Sequence, residues 1–158
     1  MSISRHDYML TWVSLVHAGS YLPGALSQHL DEQLGISLSE QDLLKQLDVA
    51  GGELKLTDLS RRIYLSKAGV TKMMDRLVSA GLVNRVRSQS DRRVINAKLT
   101  TTGTKVLHDS RKLLVAWVKT NVSDHLSEKQ LLAMGDALKT LLAGHQRWEG
   151  QMAHLKGN

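Results

Sequence analysis

The chain has 158 residues and a formal net charge of +6, with 21 Lys and Arg against 15 Asp and Glu and no cysteine. The length suits one compact domain, or one domain with an appended piece, and the missing cysteine excludes disulfides, Cys-ligated zinc, thiol nucleophiles and thiol redox sensing. One proline, no phenylalanine and 42% hydrophobic residues read as a helical, soluble, globular chain.

Met9, Trp12, Val13 and Val16 recur at helical spacing. Gly19 and Pro23 are expected to interrupt this helix, after which Leu26, Leu30 and Leu34 carry the pattern to Gly35. The apolar stretch from Tyr8 to Ala18 does not read as an export signal. Asp7 and His17 interrupt it, and no small-residue cleavage site follows. The longest uninterrupted apolar run, Leu113 to Val118, is far short of the ~18 residues of a membrane span. A cytoplasmic protein without membrane partners is expected.

Ser39 is expected to start a second helix with Asp42 as its capping partner, and Leu43, Leu44 and Leu47 form its buried stripe. Gly51 and Gly52 end it. Glu53 to Leu56 alternates and predicts a brief strand. Thr57 then caps a short helix with Leu59 and Ile63 on one face. Tyr64, Leu65 and Ser66 form a break, and Ser66 caps a longer helix that places Val70, Met73, Met74, Leu77 and Val78 inward. Gly81 stops it.

The period then changes from 3.6 to 2. Leu82, Val83 and Val86, and later Val94, Ala97 and Leu99, occupy two extended stretches around the polar segment Ser88 to Asp91, which predicts a β-hairpin with a basic tip. Thr100 opens the next helix, whose apolar positions run from Val106 and Leu107 to Trp117 and Val118. Ser127 with Gln130 is a capping box for a last helix carrying Leu131, Leu132, Met134, Leu138, Leu141 and Leu142. The polar tail from Gly144 is expected to fray.

The charge is concentrated. Residues 1–56 sum to −4, residues 57–99 to +7 and residues 100–158 to +3. A basic block between less basic flanks is either a polyanion-binding module or a solvated basic surface. The order of elements favours the first. Short helix, tight turn, longer helix and hairpin make a winged helix-turn-helix, whose second helix enters the major groove of double-stranded DNA. On that helix Ser66, Lys67, Ala68, Thr71 and Lys72 are the groove-facing candidates. Lys72 and Arg76, one turn apart, are expected to reach one rim. Arg85, Arg87, Arg92 and Arg93 lie on the wing, where arginine suits a narrow minor groove. Asp91 either pairs with an arginine to hold the wing or forms its turn.

Leu56-Thr57-Asp58-Leu59-Ser60, Ser66 to Leu77, Ala80-Gly81-Leu82-Val83, Asp91-Arg92-Arg93 and Leu99-Thr100-Thr101-Thr102-Gly103 together resemble the MarR family of winged-helix transcriptional regulators over about residues 38–108. The resemblance implies a mainly α fold with a small β-hairpin wing and dimerisation helices at both ends. It divides the chain into 1–37 (N-terminal dimerisation helices), 38–100 (winged helix-turn-helix) and 101–158 (C-terminal dimerisation helices and tail). It also implies a sequence-specific regulator, a repressor acting as a homodimer on a pseudo-palindromic operator. Lys67, Ala68 and Lys72 match its base- or phosphate-facing positions, Arg92 its wing-tip arginine and Asp91 the partner of that arginine. Many members carry arginine where Lys72 stands, and lysine lacks the two-pronged fork that reads guanine.

Many members release DNA when a small aromatic or anionic ligand binds between dimer helices and winged domain. The corresponding wall here is Trp12, Val16, His17 and His108, although either histidine can equally be a solvent-facing or hydrogen-bonded one. Zinc sensing is disfavoured, because Lys112 stands where a second histidine would follow His108. There is no phosphate-binding glycine loop, no H-E-x-x-H, no G-x-S-x-G and no paired carboxylate site, so no catalytic residue, metal ligand or cofactor is assigned. The competing reading is a winged helix used as a non-specific architectural or protein-interaction module.

Overall fold

A computed structural model of the chain describes residues 4–63, 67–88 and 94–143. Tyr64 to Ser66, the wing tip from residue 89 to 93 and the tail from Gly144 lie outside the described residues, and so do the expectations placed on them. The architecture is mainly helical: α1 (Arg5–Leu34), α2 (Leu38–Val49), β1 (Glu53–Lys55), α3 (Leu56–Arg62), α4 (Lys67–Ser79), β2 (Val83–Arg87), β3 (Ile95–Leu99), α5 (Thr101–Asn121) and α6 (Glu128–Ala143), with a short 3-10 turn at Ser123–His125.

The N-terminal helix is longer than its sequence suggests. Ser4 and Asp7 form a full capping box at its start, the Ser4 amide donating to Asp7 Oδ2 at 2.9 Å. Hydrogen bonds from the Ser4 side chain and backbone hold the Asp7 carboxyl below its ordinary value. The expected break at Gly19 and Pro23 does not occur, and one helix of 30 residues runs through both. Proline lacks an N–H and its ring crowds the carbonyl four residues back, a cost near 3 kcal/mol in a helix interior. In this chain that carbonyl belongs to Gly19. It carries no side chain and lies exposed, so its carbonyl can tilt toward water. The helix ends at Gly35, which sits in the left-handed region at φ 68° and donates to the Asp31 carbonyl.

The second helix is capped two residues before Ser39. Ser37 is the cap, and Glu40 rather than Asp42 completes the box, accepting from the Ser37 amide at 2.8 Å. Thr57 likewise lies inside α3. The cap there is Lys55, the last residue of β1, with no side-chain hydrogen bond. Strand and helix are thus joined without a loop, and the extended backbone of β1 sets the entry angle.

The hairpin is part of a three-stranded antiparallel sheet in the order β1-β3-β2, with β3 in the centre. Ala97 of β3 faces both Leu54 and Arg85 and is fully buried. The Leu99 amide donates to the Gly52 carbonyl, which extends the β1 edge back to the glycine pair. The core gathers Ile36, Leu43, Leu44, Leu47, Leu59, Val70, Met74, Leu77, Leu82, Val83, Ala97 and Leu107. The inward stripe expected of the fourth helix is therefore present, with Met73 and Val78 packed at its margin.

Thr100 starts α5 and closes the seam between sheet and helix. Its hydroxyl donates to the Gly81 carbonyl at 2.8 Å and accepts from the Gly103 amide at 2.9 Å. Ser127 and Gln130 form the expected capping box before α6, with the Ser127 amide donating to Gln130 Oε1 at 3.0 Å. Along α6 no residue is buried within the single chain, and on α1 only Leu26 and Leu30 are. The two end helices thus leave an apolar surface open, which includes Tyr8, Trp12, Val13, Val16, Tyr21, Leu132 and Leu141.

Candidate nucleic-acid interface

The fourth helix divides cleanly by face. Val70, Met74 and Leu77 are buried, whereas Ala68, Thr71, Lys72, Asp75 and Arg76 are exposed. The inner face fixes the helix on the core of α2 and α3. Its outer face, at the N-terminal half, carries a small residue, a hydroxyl and a lysine. Lys72 has no ion-pair partner among the described residues. Thr71 and Val70 line a cleft of about 170 Å³ together with Leu56, Thr57 and Ser60 of α3. Lys67 opens the helix, while its side chain lies outside the described residues together with Ser66.

Arg76 does not share a rim with Lys72 as its spacing suggests. Its guanidinium turns to the junction of α1 and α2 instead. There Nη2 donates to Asp31 Oδ1 and to the Gly35 carbonyl, both at 3.0 Å, and Nε lies 3.1 Å from Glu40 Oε1. The physical reason is the Glu40 carboxylate, which is 3% exposed. A buried carboxylate needs hydrogen bonds and a counter-charge. Ser37 supplies the first and Arg76 the second.

The wing is also partly committed. Arg85 pairs with Asp75 of α4 at 2.7 Å, tying β2 to α4. Asn96 donates to Glu53 at 2.7 Å across the sheet. Arg87, at the outer end of β2, is exposed and makes no ion pair among the described residues. The Ser88 amide donates to the Val94 carbonyl and closes the base of the wing. Asp91, Arg92 and Arg93 lie outside the described residues.

The residues proposed as a ligand wall line neither of the two described clefts. Trp12, Val16 and His17 are exposed on α1, and His108 is exposed on α5. The larger described cleft, about 330 Å³, is lined by Leu38, Ser39, Gln41, Asp42 and Ile63 instead. Among the described residues no three His, Asp or Glu side chains are grouped as metal ligands would be. Sequence reasoning missed Asp31, Glu40 and Asp75 as anchors of the fourth helix. The one local signal was Glu40, three residues after Ser37.

The family model of MarR matches residues 36–95, the span that holds α2, α3, α4 and the start of β3. The uncharacterised HTH-type transcriptional regulator YdgJ of Bacillus subtilis strain 168 is 31% identical over 98 residues, covering 62% of this chain and 59% of YdgJ. Sco3205, a MarR family transcriptional regulator from Streptomyces coelicolor solved in complex with DNA, superposes with a TM-score of 0.75 at 25% identity, covering 92% of this chain and 91% of Sco3205. Residues 36–95 match the MarR family. A second structure, the organohalide-sensing transcriptional regulator RdhR-CbdbA1625 in its 2,4-dichlorophenol-bound form, superposes with a TM-score of 0.75 at 17% identity over 92% of this chain and 87% of its own. That identity carries the fold alone. The matched segments span under two thirds of the curated relatives, 59% for YdgJ and 56% for YpoP, also of B. subtilis.

Proposed function

We propose that this chain is a MarR-family, sequence-specific DNA-binding transcriptional regulator, a repressor that works as a cytoplasmic homodimer on a pseudo-palindromic operator. The observation that carries this reading is the outer face of α4. Ala68, Thr71 and Lys72 stand exposed on a helix whose other face is locked into the core, ahead of a wing that carries Arg87. These residues lie within the +7 segment of the sequence. Small and polar residues let the helix backbone approach base edges, and the surrounding lysines and arginines neutralise phosphates. The proposed division is 1–37 and 101–158 for dimerisation and 38–100 for DNA. Among the described residues no helix is long and apolar enough to cross a membrane.

The test starts from a random duplex pool. The wild-type chain is expected to enrich one inverted-repeat sequence. Against that duplex, Arg92→Ala should weaken binding to every sequence alike, by about tenfold, whereas Lys67→Ala should change which sequence is preferred. Equal losses on selected and scrambled duplexes for both variants would show that the bases are not read. The protein would then be a non-specific module.

The proposed effector is a small aromatic or anionic compound. RdhR-CbdbA1625, of the same fold, holds a chlorinated phenol. In this chain Trp12, Val16, His17 and His108 would offer an aromatic wall with hydrogen-bonding imidazoles once a second copy closes over α1. A panel of aromatic carboxylates and phenols is expected to raise the melting temperature and to release the selected duplex. No shift across the panel would argue against control by this ligand class.

A further inference from the structure

Arg76 is placed as a DNA contact by its spacing and as something else by its contacts. Its Nη2 donates to Asp31 and to the Gly35 carbonyl, and its Nε lies 3.1 Å from Glu40 Oε1 as an ion pair. Those acceptors come from two elements. Asp31 and Gly35 are the last turn and C-terminal cap of α1, where the helix dipole adds partial negative charge. Glu40 is the capping residue of α2, and its other oxygen accepts from the amide and hydroxyl of Ser37 at 2.8 and 2.9 Å. One guanidinium therefore bridges the α1–α2 junction to the middle of α4.

We propose that Arg76 is a positioning residue, which fixes the angle of the recognition helix on the end of α1 and does not contact DNA. This inference rests on the DNA-binding reading above. It also gives α1 a role beyond its apolar face. The helix that leaves its N-terminal two thirds open for a second copy ends on the residues that hold α4. A displacement of α1 is therefore transmitted to the recognition helix through Arg76, Asp31 and Glu40.

The sign of one substitution separates this proposal from a direct contact. Asp31→Asn removes a negative charge, and if charge alone mattered it would tighten binding to a polyanion. A positioning role predicts the opposite. Affinity for the duplex selected by the wild-type chain should fall about fivefold to tenfold. Arg76→Gln should fall about tenfold at every salt concentration, with the slope of log affinity against log salt unchanged. Losing a phosphate contact would instead reduce that slope by about one. Arg76→Lys keeps the charge but not the three-way fork, so it should not rescue. The double variant should lose no more than Arg76→Gln alone, because both changes break one network.

A shallower slope in Arg76→Gln, rescue by lysine, or tighter binding by Asp31→Asn would each overturn the proposal. Amide hydrogen exchange on the DNA-free proteins keeps the test independent of the DNA reading. The amides of α4 should exchange faster in both single variants than in wild type, with the core amides of α2 unchanged. If the wild-type chain selects no duplex, the DNA reading fails by itself. Unchanged α4 protection would then overturn the positioning role as well. Asp31 is exposed, so its variant is expected to fold even where Arg76→Gln does not.

Discussion

Gly103→Ala is expected to destabilise the chain by about 3 kcal/mol. Two effects of opposite sign meet at this residue. It lies in the first turn of α5, where alanine is preferred over glycine by about 1 kcal/mol. Against that, a Cβ at Gly103 would fall on the Leu82 carbonyl oxygen and 2.9 Å from Leu99 Cδ1. The first of these is backbone and cannot swing aside. Moreover, the Leu82 carbonyl accepts from both the amide and the hydroxyl of Thr100, each at 3.1 Å. Pushing it away opens the seam that joins the α4–β2 turn to α5, so steric cost outweighs propensity. With a urea m-value of about 2 kcal/mol per molar, the unfolding midpoint should drop by roughly 1.5 M. A midpoint unchanged or raised would mean that helix propensity governs the site and that the approach to Leu82 is not tight.

The same seam shows which parts of the fold were readable. Leu99-Thr100-Thr101-Thr102-Gly103 announces itself because its key residues act locally. Thr100 caps the helix and Gly103 admits a carbonyl. The break at Gly81 is equally local, since the glycine adopts φ 70° and strand β2 follows within two residues. Gly19 and Pro23 misled for a complementary reason. Each is a helix breaker when read singly. At a spacing of four, however, the glycine supplies the carbonyl that the proline ring crowds, and its exposure allows that carbonyl to turn to water. Start signals failed by small shifts, as at Ser37 against Ser39, where two serines each precede an acid by three residues. Glutamate won that competition because its carboxylate also meets Arg76.

The charges of the candidate interface were the least legible. Composition counts Arg76 and Arg85 among the cations of the basic block, yet both are bound to acids that lie far away in sequence or on a neighbouring element. Spacing along one helix reports which residues share a face. It does not report what stands opposite that face, and Asp31 lies 45 residues from Arg76. Among the described cations of residues 57–99, Arg62, Lys72 and Arg87 make no ion pair. That is a smaller and more sharply placed set than the net charge suggests.

The larger expected effect on binding comes from the end helices. Trp12 is 60% exposed, Leu132 66% and Val115 67%, on three different helices of one chain. Helices that bury so little alone gain most of their stability from tertiary packing, so α6 and the N-terminal part of α1 need a partner surface. In the proposed dimer a second copy supplies it in an isologous contact and sets two α4 helices on successive half-sites. Trp12→Glu combined with Leu132→Glu is therefore expected to convert the dimer to a 17.5 kDa monomer in sedimentation. Neither side chain touches the buried core, so the melting of the winged unit should change little. Affinity for the selected inverted repeat should fall about 100-fold or more, since the second half-site no longer benefits from a tethered partner. Affinity for a single half-site should stay nearly constant, because α4 and the wing are intact. Sedimentation of the wild-type chain as a monomer, or a doubly substituted chain that still binds the full repeat tightly, would show that these apolar faces do not build the dimer.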